Sequence, residues 1–291
     1  MRQPADTSFS PGSETRICFL IGHPVGHSLS PLIHQAAYAA LGMDWHYGLM
    51  DVLKDDLPAV LERIDGQRVV GANVTIPYKR DVFDLIDECT DTATAVGAVN
   101  TLYVQDGRLI GDNTDVAGFL EPLRAVWPDT EAARRRRAVI LGSGGAARAV
   151  AHALTRELEL AEVIITSRNE ATARTIPGAA FRPWKERTDL SKAADLIVNT
   201  TPLGMHPNVD ATPLPDGSPF RTGQVVYDLI YMPRRTKLML DAWDGGSTVI
   251  GGLPMLVGQA AEAFKRWSGQ QMPIEAVHEA LDALGRSDSG S

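Results

Sequence analysis

The sequence predicts an α/β protein of two domains, each built on a mostly parallel sheet. The chain has 291 residues, about twice the ~150 residues of an average domain. Short apolar runs alternate along it with helix-like segments, which is the pattern of βαβ units. The pair Asp106-Gly107 favours a tight hairpin turn. We therefore expect one antiparallel element in the first of two otherwise parallel sheets.

Composition excludes several classes of protein. The net charge is −8, so binding of nucleic acid as the main function is disfavoured. Two cysteines, Cys18 and Cys89, are too few for a disulfide framework or a cysteine metal cage, and they indicate a reducing compartment. No apolar run approaches the ~20 residues that span a bilayer, and the first residues lack the apolar stretch of a secretory signal. We expect a cytoplasmic protein with a disordered leader over residues 1–15, no membrane partner and no metal.

The elements of the first domain begin with the apolar run Ile17–Ile21, which stops at Gly22 as a buried parallel strand does. Pro31 suits the first turn of the helix that follows. Further apolar segments and turn residues then mark the remaining elements. The sequence predicts helices over residues 32–41, 57–64 and 115–126, and strands over residues 47–52, 69–74, 98–104 and 108–111.

A second alternation starts at the apolar run Ala138–Leu141. Four arginines, Arg134–Arg137, precede this strand, and on an acidic chain they are typical of a solvated strand entrance rather than of a nucleic-acid patch. The sequence predicts strands over residues 162–166, 196–199 and 225–229, and helices from the following glycine-rich turn to Leu158 and over residues 256–267 and 274–284.

The turn after Leu141 reads Gly142-Ser143-Gly144-Gly145-Ala146-Ala147. Gly142, Gly144 and Ala147 match the dinucleotide fingerprint, which accepts alanine as its third small residue. The first glycine permits the tight turn, and the second lets a pyrophosphate approach the backbone. Free N–H groups at the helix start would then bind that pyrophosphate. The turn predicts a Rossmann domain with a dinucleotide site.

The end of the next strand indicates which dinucleotide binds. An NAD site places a carboxylate there, whereas an NADP site places a cation. The sequence has Arg168 at this point, between Ser167 and Asn169. The guanidinium can pair with a 2′-phosphate, and its neighbours can add hydrogen bonds. NADP is therefore the expected cofactor, and an ordinary surface arginine is the alternative.

Three segments of the first domain carry polar residues at strand ends, where open α/β sheets bind ligands. Ser28 and Ser30 can both face an anion such as a carboxylate, although serines here also cap helices. Lys79 follows a strand and can act as a general acid or base. Asp115 can accept its hydrogen bonds. A structural ion pair of Lys79 with Asp115 is the alternative.

Eight segments in order resemble the shikimate dehydrogenase family, between about residues 17 and 269. Eight such matches in one order are far more specific than any single motif. The segments are Gly22-His23-Pro24-Val25-Gly26-His27-Ser28-Leu29-Ser30-Pro31, Asn73-Val74-Thr75-Ile76-Pro77-Tyr78-Lys79, Gly97-Ala98-Val99-Asn100-Thr101, Gly111-Asp112-Asn113-Thr114-Asp115, Gly142-Ser143-Gly144-Gly145-Ala146, Asn199-Thr200-Thr201-Pro202-Leu203-Gly204-Met205, Tyr227-Asp228-Leu229-Ile230-Tyr231 and Gly252-Leu253-Pro254-Met255-Leu256-Val257-Gly258-Gln259.

The resemblance implies reversible, NADP-dependent reduction of 3-dehydroshikimate to shikimate, a step of chorismate and aromatic amino acid biosynthesis. It also implies roles for residues of this chain. Lys79 and Asp115 would be catalytic, Ser28 and Ser30 would hold the substrate carboxylate, and Thr75, Asn100, Tyr231 and Gln259 would bind ring hydroxyls. Gly142, Ser143, Gly144, Gly145, Ala146, Ser167, Arg168 and Asn169 would hold NADP, with Leu229 and Gly252 near the nicotinamide.

The resemblance further implies two three-layer α/β domains with a cleft between them. The substrate-binding catalytic domain would be discontinuous, formed by residues 16–114 plus 252–291. The Rossmann NADP-binding domain would be inserted over residues 115–251. The partners implied are a small-molecule substrate and, at most, a second copy of the chain, as a monomer or homodimer.

Some positions depart from the family pattern. Gln35 replaces a usual asparagine, and Ser167-Arg168-Asn169 departs from the commoner Asn-Arg-Thr.

Two other functions are alternatives to that of a shikimate dehydrogenase. A quinate/shikimate or aminoshikimate dehydrogenase would differ around the substrate carboxylate, and Arg168 argues against a strictly NAD-dependent quinate enzyme. A non-catalytic shikimate-sensing protein would be marked by the loss of Lys79 or Asp115, and both are present.

Overall fold

The computed structural model describes residues 14–288, with side chains to residue 284. Most of the predicted leader, residues 1–13, lies outside the described residues. The chain divides into two compact units. The first contains the described residues up to Thr114 and those from Gln259 onward, and the second is Asp115–Gly258. The return to the first unit therefore lies seven residues after the expected return at Gly252, because one unbroken helix, Gly252–Ser268, runs through that boundary.

The first unit has six strands and most of its helices in alternation. Its strands are β1 (Arg16–Gly22), β2 (Trp45–Asp51), β3 (Val69–Val74), β4 (Glu88–Cys89), β5 (Thr101–Gln105) and β6 (Arg108–Asp112). Its early helices are α1 (Ser30–Ala40), α2 (Leu57–Leu61), α3 (Lys79–Leu85) and α4 (Asp91–Val96), with a 3-10 turn over Lys54–Asp56.

The strand order of the first sheet is β2-β1-β3-β5-β6-β4. Only β5 runs against its neighbours, while β1, β2 and β3 are parallel, as are β4 and β6. The expected antiparallel element is thus confirmed. Asp106 and Gly107 form the hairpin turn with φ of 51° and 76°, the left-handed conformations that a two-residue hairpin favours.

Side chains alternate between the two faces of this sheet, and helices cover both. On one face Phe19 and Ile21 pack with residues of α2 and α3 in a buried apolar cluster. On the other face His34 of α1 packs among Tyr47, Phe264 and Trp267. Helices on both faces make this unit three-layered.

The second unit contains β7 (Arg137–Leu141), β8 (Glu162–Ser167), β9 (Ala180–Pro183), β10 (Leu196–Asn199), β11 (Val225–Asp228) and β12 (Thr248–Ile250). Its helices are α5 (Asp115–Val126), α6 (Thr130–Ala133), α7 (Gly145–His152, continued by a π-helical turn over Ala153–Glu157), α8 (Glu170–Ala173), α9 (Arg187–Ala193) and α10 (Lys237–Asp244), with a 3-10 turn over Trp184–Glu186. The last two helices are α11 (Gly252–Ser268), which passes into the first unit, and α12 (Ile274–Asp288).

All strand pairs of the second sheet are parallel, in the order β9-β8-β7-β10-β11-β12. Counted within this unit, that is the order 3-2-1-4-5-6 of a Rossmann sheet. The order reverses between β7 and β10, and this reversal is where such sheets bind dinucleotides. Val226 faces an apolar cluster that includes residues of α10, and Tyr227 stacks on Phe119 of α5, so helices cover both faces here too.

Candidate active site

The carboxyl ends of β1, β3 and β6 meet the start of β5 at one edge of the first sheet. Thr75 N donates to Ile21 O (2.9 Å), Val74 N to Asn100 O (2.8 Å) and Asn100 N to Asp112 O (3.0 Å). These backbone bonds place the loops after β1, β3 and β6 side by side. The three polar segments singled out from the sequence therefore lie at a single edge.

Ser28 and Ser30 lie at the start of α1. Ser28 Oγ is 3.2 Å from Ser30 Oγ and also accepts from Ser30 N (3.2 Å). Ser28 is half-buried and Ser30 is 4% exposed. Ser30 N is thus already bonded, and Pro31 has no N–H. The two hydroxyls lie together at the positive end of the α1 dipole, a setting that favours a carboxylate.

Lys79 is the first residue of α3, a helix that was not predicted from the sequence. Its side chain is half-buried, and its carbonyl oxygen accepts from Val99 N (2.8 Å). The residue before it, Tyr78, is 4% exposed and donates its hydroxyl to Val52 O (2.7 Å). Lys79 is therefore fixed at its backbone from two sides, with Thr75 one turn before it at the same edge.

Asn100 lies at the centre of a buried polar network. Its Oδ1 accepts from Thr114 N (2.8 Å) and Thr101 Oγ1 (2.9 Å), and its Nδ2 donates to Thr114 Oγ1 (3.0 Å). Asn73 Nδ2 donates to Thr101 Oγ1 (3.1 Å), and Tyr47 OH donates to Asn73 Oδ1 (2.7 Å). A connected network of this kind fixes the direction in which the Asn100 amide points.

The glycine-rich turn of the second unit has the geometry of a pyrophosphate site. Gly142 has φ of +116°, and a Cβ there would lie 2.4 Å from Thr200 Oγ1, so only glycine fits. Gly144 precedes α7 with no side-chain cap. Nothing lies within 4 Å of the place where its Cβ would be. An open approach to uncapped N–H groups fits a phosphate.

The ends of β7 and β8 are joined by Ser143 and Ser167, whose hydroxyl oxygens lie 2.9 Å apart. Ser167 Oγ also accepts from Asn169 N (3.1 Å), and Asn169 caps α8 by accepting from Thr172 N (3.1 Å). Arg168, between them, is exposed and has no hydrogen bond, ion pair or ring contact with any described residue. Its guanidinium is available to a ligand phosphate.

Leu229 and Gly252 lie against each other at the carboxyl edge of the second sheet. A Cβ on Gly252 would be 2.1 Å from Leu229 O and 2.4 Å from Leu229 C. The buried carboxylate of Asp228 supports this corner, accepting from Thr236 Oγ1 (2.6 Å), Asn199 Nδ2 (3.0 Å) and Ile230 N (3.1 Å). Burial nevertheless raises the pKa of Asp228 to about 6, against the lowering effect of these hydrogen bonds.

Two predicted residues, Asp115 and Gln259, lie where the chain passes between the units in the sequence, and a third, Tyr231, lies within the second unit. Asp115, 5% exposed, is the first residue of α5, and Tyr231 is half-buried just after β11; both belong to the second unit. Gln259, 8% exposed, is the first residue of the first unit's second stretch. No pattern in the sequence indicates the ion pair of Asp112 with Arg266 (3.0 Å), which lies beside Asn113 and Asn100.

Within the described part of the chain, no group of three or more His, Cys, Asp or Glu side chains is arranged to hold a metal ion. None of the helices found there is long and apolar enough to cross a membrane.

The Rossmann strand order, the glycine-rich turn and the exposed arginine after β8 define a dinucleotide-binding α/β protein. Residues 20–102 match the family description "Shikimate dehydrogenase substrate binding domain", and residues 252–281 match "Shikimate 5'-dehydrogenase C-terminal domain". The shikimate dehydrogenase (NADP(+)) of Moorella thermoacetica is 41% identical over 291 residues, covering 96% of this chain and 97% of that protein. The chain belongs to the shikimate dehydrogenase family.

Two solved structures are similar over nearly the whole chain. A shikimate dehydrogenase in complex with NADP+ superimposes with a TM-score of 0.85 and 35% identity, covering 94% of this chain and 97% of that one. A shikimate 5-dehydrogenase from Thermus thermophilus, in complex with NADP(H) and shikimate, gives 0.81 and 35%, covering 92% of this chain and 99% of that one.

Proposed function

We propose that this protein catalyses the reversible, NADP-dependent reduction of 3-dehydroshikimate to shikimate. The observation that carries the proposal is that the carboxyl edge of each sheet holds a group of candidate ligand-binding residues. One edge holds paired serines, a threonine, an asparagine and a lysine; the other holds an open glycine-rich turn and an arginine without a partner among the described residues. The names of the relatives, with NADP(+) as cofactor and shikimate as bound ligand, support the same substrate and cofactor.

For the substrate, the hydroxyls of Ser28 and Ser30 would donate to the carboxylate. Thr75, Asn100, Tyr231 and Gln259 would bind the ring hydroxyls. The Asn100 amide is already oriented by Thr114 and Thr101, so little freedom is lost when it binds a hydroxyl. Preorganised donors of this kind favour binding in one orientation of the ring.

For the cofactor, Gly142, Ser143, Gly144, Gly145 and Ala146 would hold the pyrophosphate, and Ser167, Arg168 and Asn169 the 2′-phosphate. Leu229 and Gly252 would lie near the nicotinamide. When bound, NADPH supplies the hydride.

The protein supplies the proton. Lys79 Nζ would give a proton to the carbonyl oxygen of 3-dehydroshikimate as the hydride reaches the carbon, and would recover it from solvent. Asp115 would accept a hydrogen bond from the hydroxyl that results and orient it towards the lysine. In the reverse direction Lys79 Nζ, after losing its own proton to solvent, would take the proton from the shikimate hydroxyl, while Asp115 would hold that hydroxyl by a hydrogen bond.

The test is a steady-state assay of shikimate and quinate, each with NADP+ and with NAD+. We expect the highest kcat/KM for shikimate with NADP+. A higher kcat/KM for quinate or for NAD+ would favour a quinate/shikimate enzyme. Tight shikimate binding without turnover of either acid would indicate a sensing protein instead.

The variant Lys79→Met tests the catalytic assignment. Removal of a general acid costs roughly 10²–10⁴-fold in rate, so we expect kcat to fall by about that factor. The Kd for shikimate, measured by calorimetry, should change little. Arg80→Met, next in sequence and exposed, is the matched control and should keep wild-type kcat. Near-normal turnover by Lys79→Met would exclude the assignment.

We also propose that the protein acts in the cytoplasm as a monomer or homodimer. The location is supported by both cysteines being free thiols, which fits a reducing compartment. Light scattering of the purified protein measures the oligomeric state directly.

A further inference from the structure

One ion pair in the first unit, between a buried carboxylate and a guanidinium that is 46% exposed, has no part in the mechanism described above. Asp112, the last residue of β6, has a side chain that is only 5% exposed, and its Oδ2 accepts from Arg266 Nε (3.0 Å). Arg266 comes from α11, 154 residues further along the chain. Its guanidinium also lies 5.9 Å from the centre of the Tyr103 ring. A buried carboxylate needs such partners, because burying an unpaired charge is costly.

The second carboxylate oxygen of Asp112 stabilises the loop that follows β6. Asp112 Oδ1 accepts from Asn113 N (2.7 Å) and Thr90 Oγ1 (2.7 Å). The carbonyl oxygen of Asp112 accepts from Asn100 N, and Asn100 Oδ1 accepts from Thr114 N. The path of the chain from Asp112 to Thr114 is therefore fixed at consecutive residues, and Asp115 comes next.

Arg266 lies on the same helix as Gln259. The two are seven residues apart, and seven residues are close to two turns, so they lie on one stripe of α11. Arg266 is thus bonded to the strand end that leads to Asp115, while its helix carries Gln259.

We propose that Arg266 and Asp112 are positioning residues, which fix α11 against the loop after β6 and thereby set Asn100, Asp115 and Gln259 for substrate. The proposal rests on the proposed function, because it takes these three residues as substrate contacts. Neither Arg266 nor Asp112 touches the substrate in this scheme. A substitution in this pair should therefore change the affinity for substrate and leave the affinity for the cofactor unchanged.

The experiment compares Arg266→Met, Arg266→Lys, Asp112→Asn and the double variant of Arg266→Met with Asp112→Asn. A positioning defect of this kind costs up to about 10²-fold. We expect Arg266→Met to raise both the KM and the calorimetric Kd for shikimate by about tenfold, with the Kd for NADP+ unchanged. Arg266→Lys, which keeps the charge, should recover most of the affinity. The double variant should be no worse than the worse single variant, because the two residues act as one unit.

Arg137→Met is the matched control. Arg137 forms an ion pair with Glu162 (3.3 Å) at the opposite end of the second sheet, where β7 and β8 begin. It should leave both dissociation constants at wild-type values.

The outcomes separate the two proposals. If the wild type turns over shikimate and Arg266→Met matches it in KM and Kd, the positioning role is refuted and the proposed function stands. Loss of folding stability alone, with KM and Kd intact, refutes the positioning role equally. A wild type that neither binds nor oxidises shikimate refutes the proposed function, and the positioning role with it.

Discussion

The imidazole of His34 should make the first unit sensitive to mild acid. His34 is fully buried in α1, stacked on Tyr47 with ring centroids 4.3 Å apart, and neither ring nitrogen has a hydrogen-bond partner among the described residues. Burial lowers the pKa of His34 from 6.5 to about 3. The neutral ring therefore suits the folded state, and the unfolded state takes up a proton first as the pH falls.

The magnitude follows from proton linkage. The stability that neutral His34 contributes is fully present above pH 6.5 and is lost as the pH falls towards about 3. Each pH unit in that window costs about 1.4 kcal/mol. The free energy of unfolding at pH 5 should be about 2 kcal/mol lower than at pH 8. The unfolded-state pKa sets this value, because the folded-state pKa lies well below 5.

The variant His34→Phe keeps a flat apolar ring and removes the titration. Urea unfolding at pH 8 and at pH 5 gives the free energy of unfolding for wild type and variant. We expect the wild type to lose about 2 kcal/mol more than the variant between the two pH values. An offset from repacking the larger ring is the same at both pH values and cancels in this difference.

Leu53→Ala provides the control, since Leu53 is 61% exposed and does not titrate. This variant should show the same pH dependence as the wild type. The reasoning is refuted if His34→Phe loses as much stability between pH 8 and pH 5 as the wild type does.

Four other substitutions give separate tests. Asp228→Asn removes a carboxyl whose pKa burial raises from 3.8 to about 6. The contribution of that carboxyl to stability is fully present below pH 3.8 and is lost as the pH rises through about 6. Urea unfolding at pH 4 and pH 7 should therefore show a loss of about 2 kcal/mol in the wild type that the variant lacks. Gly252→Ala places a Cβ 2.1 Å from a backbone oxygen and should lower the free energy of unfolding by about 1–3 kcal/mol, whereas Gly144→Ala, with open space at its Cβ, should keep wild-type stability and weaken NADP+ binding in calorimetry. Arg168→Ala should raise the Kd for NADP+ by roughly 10- to 100-fold and leave that for NAD+ unchanged, because only the 2′-phosphate needs the guanidinium.

The fold could be predicted where apolar runs are long and uniformly buried. The strands Val69–Val74 and Leu196–Asn199 and the helix Asp115–Val126 have the bounds expected from the sequence. The missed strands are short or at sheet edges: β4 has two residues, and β9 is mostly exposed. Such segments bury too little apolar surface to leave a periodic pattern.

Helix boundaries were the least predictable feature. No helix was expected directly after the strand 69–74, yet α3 begins at Lys79, two residues after Pro77. The helix expected from Leu256 begins four residues earlier at Gly252, because its first turn is fixed by the close packing of Gly252 on Leu229. Contacts of that kind are tertiary, and a pattern along the chain carries no signal of them.

Contacts between polar side chains in the candidate site are also tertiary and could not be predicted from the sequence. The sequence placed Asn100 and Asp115 by their motifs. The pairing of Asp112 with Arg266 joins residues 154 positions apart, and neither residue type is unusual at a strand end or on a helix surface. The carboxylate and the guanidinium come together only in the folded chain, so the ion pair could be found only from the structure.

The acidic character of the chain and its anionic ligands are compatible because charge acts locally. At physiological ionic strength exposed charges are screened beyond about 8 Å, so the net charge of −8 has little influence at any one site. Around the end of β8 the neighbouring arginines Arg174 and Arg182 are paired with Glu170 and Glu186. Arg168 lacks such a partner among the described residues and so presents an uncompensated positive charge. In the proposed cofactor site, affinity for a 2′-phosphate would therefore depend on this side chain, with Ser167 and Asn169 beside it, more than on the total charge of the protein.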